Sequence, residues 1–139
     1  MLKKINFQFV LSYLGLFPFL VILLDYFFFK FIDSNIVKDF LIFYSIIIFV
    51  FIGAVNWNLK KNISLLIVFI GFMPSLASVL IIVMFLYSYD VINYLIILFI
   101  VQLILDNFIY REKNDRLIFY RLRTPLTFIV ILCLILIQL

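Results

Sequence analysis

The chain has 139 residues, 68% hydrophobic and 13% charged, with a mean hydropathy of +1.34. Soluble domains are about 45–50% apolar and about 25% charged, so the composition excludes an ordinary soluble fold and predicts a single membrane domain. The net charge of +4 does not point to nucleic acid, because the basic residues sit in short breaks between apolar stretches, where membrane topology places them.

Five apolar stretches follow in order, near Phe7–Phe29, Phe40–Leu59, Ile63–Leu86, Val91–Tyr110 and Pro125–Leu139, the last extending back to about residue 120. A hydrocarbon core ~30 Å thick takes about 20 apolar residues of helix, and the first four meet that length. The first follows Lys3 and Lys4, but it is too long for a signal-peptide core and lacks a small-residue cleavage site, which predicts an uncleaved anchor. It carries Tyr13, Gly15 and Pro18, which predict local packing around a kink. The third contains Pro74, a second expected kink, with Ser75 and Ser78 at hand for freed backbone groups. Gly71-x-x-x-Ser75 and Ser78 form a small-residue strip that suits close packing, against a helix of the same chain or against a second copy. The fifth stretch is the shortest, and Pro125 suits its first turn, where the missing N–H is tolerated. Asp25 and Asp90 fall near the ends of spans as solvated groups, Asp25 deep enough to need a partner if its helix stands upright.

Alternate breaks differ sharply in charge. The N-terminus, the second loop and the fourth loop hold nine of the eleven Lys and Arg residues; Lys30 and Lys38 in the first loop are the other two. The predicted fold is therefore an all-α membrane bundle of five transmembrane helices, N-terminus cytoplasmic and C-terminus outside.

That topology gathers polar residues from three spans beneath one leaflet. Asn56 and Trp57 end the second span, Gln102 and Asp106 lie in the last turns of the fourth, and Arg121, Arg123, Thr124 and Thr127 open the fifth. Gln102 and Asp106 are four apart and share a helix face. Arg121 and Arg123 are two apart, so at most one faces Asp106 and the other meets phosphate or water. One reading is a structural staple, with Trp57 anchoring at the interface. The other is a small polar cavity for a headgroup, a quinone-like ring or an ion.

Catalytic patterns are missing. There is no histidine, no Gly-rich phosphate loop, no nucleophile triad and no paired carboxylates on one helix. One cysteine, Cys133, rules out an intrachain disulfide and reads as a small apolar filler. No cofactor or metal is expected, and no enzyme.

Tyr13-Leu14-Gly15-Leu16-Phe17-Pro18-Phe19, Gly53-Ala54-Val55-Asn56-Trp57, Pro74-Ser75-Leu76, Gln102-Leu103 with Asp106, and Tyr120-Arg121-Leu122-Arg123 with Leu126-Thr127 occur in that order. Together they resemble the transmembrane protein 69 family, also called domain of unknown function 3429. The family usually has a His or small polar residue before the Trp and a Gly after it. Here Asn56 and Asn58 stand there, which argues against a titrating group beside Trp57. The resemblance implies a bacterial inner membrane, or a mitochondrial one in a eukaryote, and no assigned activity. The expectation is a non-enzymatic accessory or assembly protein whose partners are the bilayer and a membrane protein or a second copy. The alternatives are a small-molecule or ion carrier, or a headgroup-binding protein using Asn56, Trp57, Gln102, Asp106, Arg121 and Arg123.

Overall fold

The computed structural model describes residues 7–55, 64–109 and 119–139. Among these, all regular structure is helical: α1 (Phe7–Leu14), α2 (Phe17–Leu24), α3 (Ser34–Ala54), α4 (Leu65–Leu86), α5 (Ile92–Ile109) and α6 (Thr124–Leu136). Among the described residues, four helical runs are long and apolar enough to cross a membrane: Val10–Phe29, Ser34–Ala54, Leu65–Leu86 and Ile92–Ile109. The expected fifth span is helical but short. The 13 residues of α6 rise ~20 Å at ~1.5 Å each, against a hydrocarbon core of ~30 Å. A π-helical turn, Phe119–Arg123, leads into it.

Helix limits follow capping rather than hydropathy. The second apolar stretch begins at Phe40, yet α3 starts at Ser34, because the Asp33 carboxylate accepts the Asn35 N–H at 2.8 Å and caps the helix there. Lys38 and Asp39 thus ride on a helix, not in a loop. Asp90, exposed as expected, accepts the Ile92 N–H and opens α5.

The kink in the first span lies slightly before Pro18. The helix breaks at Gly15–Leu16, and Pro18 sits in the first turn of α2. Tyr44 of α3 donates its hydroxyl to the Gly15 carbonyl at 2.8 Å, so the break is tied to its neighbour. At its far end α2 runs into a π-helical turn, Asp25–Phe29, and closes on Lys30 in the left-handed region. Asp25 is not a solvated end. It is buried, and its carboxylate accepts the N–H groups of Phe31 and Ile32 at 3.2 and 3.0 Å, which orders the loop before α3.

Helices α3 and α4 run antiparallel. Gly53, late in α3, meets Gly71 and Pro74, early in α4, while Phe43 and Phe85 pack edge-to-face at the opposite ends. A Cβ on Gly53 would lie 2.6 Å from the Gly71 carbonyl and 2.7 Å from the Pro74 ring. The small-residue strip therefore packs inside the chain, and its buried members are Gly71, Pro74 and Ser78 rather than Ser75. Ser78 donates to the Pro74 carbonyl at 2.7 Å, a bond within its own helix.

α3 is the hub, packed against α2, α4, α5 and α6. Its buried stripe (Val37, Leu41, Ile42, Ile46, Phe49, Ile52) meets Phe19 of α2, Leu95 and Phe99 of α5, and Val130 and Leu134 of α6 in one core. Phe49 and Phe99 pack edge-to-face with centroids 5.2 Å apart, which adds shape specificity to a core otherwise held by apolar burial.

Candidate functional site

The buried positions of α5 alternate by three and four: Ile92, Leu95, Phe99, Gln102, Asp106. Those of α6 follow the same spacing from its leading turn, Arg123, Thr127, Val130, Leu134 and Ile137, with Cys133 buried beside them. Both helices therefore turn one stripe inward along their whole length. The polar residues are the continuation of that stripe at one end of the bundle, which is why they cannot reach the surface.

At that end the Asp106 carboxylate, 1% exposed, accepts the Gln102 side-chain N–H at 2.9 Å. The guanidinium of Arg123, 5% exposed, lies 3.7 Å from the other carboxylate oxygen. The same guanidinium nitrogen donates to the Ile52 carbonyl at 3.0 Å. Sequence reasoning missed Ile52 because its contribution is backbone. The signal was available, however: the last four carbonyls of a helix have no partner within it, and Ile52 lies in the last turn of α3. Arg123 supplies both the missing donor and a positive charge at the negative end of the helix dipole. Desolvating a guanidinium and a carboxylate is offset in part by their pairing and by further hydrogen bonds, and here Asp106 accepts one from Gln102 while Arg123 donates one to Ile52.

Arg121 and Arg123 part as their spacing requires. Arg123 turns into the bundle, and Arg121 is exposed. Pro125 has no N–H for the Arg121 carbonyl four residues back, and the Tyr13 hydroxyl donates to that carbonyl instead. This bond ties the first span to the start of α6. Thr127 is buried one turn beyond Arg123, and Thr124 is half-buried.

Asn56 and Trp57, the third contributor expected from sequence, lie outside the described residues, as do Lys3, Lys4, Lys60, Lys61, Arg111, Lys113 and Arg116. The structure thus brings Gln102, Asp106 and Arg123 together and leaves Arg121 outside that contact. Among the described residues, no three His, Cys, Asp or Glu side chains gather where a metal ion could sit. Cys133 is a free, buried thiol in the apolar part of α6. The arrangement can neutralise charge, register three helices against one another and cap α3.

Neither a curated protein nor a solved structure shows detectable similarity to the chain. A family model described as protein of unknown function (DUF3429) matches residues 6–139, so the chain belongs to that family.

Proposed function

We propose that this protein is a small multispanning membrane protein that acts by helix contact with a partner, as an accessory or assembly factor, and performs no chemistry of its own. The observation that carries this reading is the closure of the polar cluster. Asp106 receives Gln102 and Arg123, and Arg123 also serves the end of α3. A carrier, a headgroup-binding protein built on this cluster or a lipid-modifying enzyme asks for polar groups still open to a ligand. These groups face one another instead.

Outward, the helices present large apolar side chains, among them Phe51, Leu65, Leu80 and Phe128. Such faces meet lipid tails or a partner helix, and in a membrane close packing decides between the two. The nine-to-two asymmetry of Lys and Arg supports five spans with the N-terminus cytoplasmic and the C-terminus outside. In this topology α6 is a short span that thins the bilayer locally. The setting that goes with it is a bacterial inner membrane, or the mitochondrial inner membrane in a eukaryote.

Photocrosslinking in cells from Phe51, Leu80 and Phe128 tests the reading. The expected result is a discrete adduct with one membrane protein or with a second copy from at least one face. Lipid adducts alone, together with a small molecule that stays with the wild-type protein and is lost in Arg123→Ala, overturn it.

A further inference from the structure

At the end of the bundle opposite Arg123, the start of α3, the start of α5 and the end of α6 spread around a cleft of about 520 Å³. Its polar rim consists of Asn35, Lys38 and Asp39 from α3, Asp90 and Asn93 at the start of α5, and Gln138 after α6, over an isoleucine floor. The volume falls within the ~300–1,000 Å³ of small-molecule sites. Two of the amides hold each other, Gln138 donating to Asn93 at 3.1 Å, and this contact fixes α6 against α5 beside the cleft. Asp90 is engaged by the Ile92 N–H through one carboxylate oxygen.

The charges are arranged differently from those at the other end. Among the described residues, Lys38 and Asp39 have neither an ion pair nor a side-chain hydrogen bond. Lys38 is nevertheless half-buried. One cleft therefore presents an ammonium and two carboxylates that do not satisfy one another. The chemistry that matches all three is a zwitterion carrying a primary ammonium and a phosphate a few bonds apart.

We infer that this cleft binds an ethanolamine-phosphate group, its ammonium between Asp39 and Asp90 and its phosphate on the Lys38 ammonium. Two sources carry that chemistry, the head of an amino-phospholipid and a free phosphoamine. The first source rests on the membrane reading above; the second does not. A primary ammonium donates three N–H bonds to carboxylates, which a choline group cannot do, so the site discriminates between them.

The test uses the full chain in nanodiscs containing equal amounts of phosphatidylethanolamine, phosphatidylcholine and phosphatidylglycerol. Co-purifying lipid is read by native mass spectrometry, and soluble phosphoethanolamine binding by calorimetry in detergent. The expected result is retention of phosphatidylethanolamine over each of the others by about tenfold, the scale of one charge-assisted hydrogen bond. Asp39→Asn reduces that preference about tenfold, whereas Lys38→Gln weakens retention of all three lipids and of phosphoethanolamine about tenfold, because the phosphate is common to them. Neither residue caps a helix, so both variants keep the wild-type melting curve. Phosphoethanolamine displacing the lipid supports the inference with the lipid as ligand. Phosphoethanolamine binding without lipid preference supports it with the free phosphoamine as ligand. Equal retention of all three lipids with no phosphoethanolamine binding overturns it, as does an unchanged preference in Asp39→Asn or unchanged binding in Lys38→Gln. Photocrosslinking to a partner protein is blind to this cleft, so the two proposals fail separately.

Discussion

Removing one member of the buried ion pair strands the other, and removing both does not. At 3.7 Å the charges of Asp106 and Arg123 attract by ~4–5 kcal/mol at an effective dielectric of ~20. Asp106→Leu leaves a guanidinium in a packed interior, and Arg123→Met leaves a carboxylate there; each costs about 3–5 kcal/mol. The double variant leaves no buried charge at this end of the bundle. It leaves the Ile52 carbonyl and the Gln102 amide short of a partner, at about 1–3 kcal/mol each. Independent effects would sum to about 6–10 kcal/mol. The measurement is reversible unfolding in mixed micelles, followed by circular dichroism across all four proteins of the cycle. Neutral interhelical hydrogen bonds in membranes couple by only ~0.6 kcal/mol on average, so a coupling above about 2 kcal/mol identifies the ion pair as the staple. Additive losses, or single variants as stable as wild type, refute the reasoning.

Other positions separate packing from polar contributions. Gly53→Ala forces a methyl group against the Gly71 carbonyl and the Pro74 ring, so it destabilises by about 1–3 kcal/mol. Gly15→Ala sets its Cβ 3.2 Å from the Ser12 backbone carbonyl, a tight contact that makes the backbone give slightly, so it costs less than Gly53→Ala in the same unfolding assay. Ser45 is fully buried in α3, and its hydroxyl has no hydrogen-bond partner among the described residues. Ser45→Ala therefore raises stability by about 1 kcal/mol, read as a shift of the unfolding midpoint. Asp25→Asn keeps one acceptor oxygen where two backbone N–H groups are held. The Phe31 and Ile32 amides then exchange hydrogen on the order of tenfold faster, while amides at the centre of α3 are unchanged.

Much of the polar cluster was legible because helix geometry is local. Four-residue spacing puts Gln102 and Asp106 on one face, and two-residue spacing sends Arg121 and Arg123 to different sides, whatever surrounds them. The choice of Arg123 over Arg121 was not legible. It depends on the rotation of α6, set where its apolar stripe of Val130, Leu134 and Ile137 meets α3 and α5. The helix limits departed from the apolar stretches for a related reason. Hydropathy marks what oil tolerates, whereas caps such as Asp33 decide where a backbone begins to coil.

By itself, then, the sequence determined the helical class and the four long apolar runs, because an unpaired amide is too costly in hydrocarbon for any other spanning form. It also determined that its few inward charges need partners. Only the tertiary structure decided who those partners are: the Ile52 carbonyl for Arg123, two loop amides for Asp25, and Gly53 for the Gly71–Pro74 ridge. The Arg123 and Gly53 pairings join residues far apart in the chain through helix rotation and depth, which are fixed by the packing of the whole bundle rather than by any local run of residues, whereas Asp25 closes a turn only six and seven residues ahead.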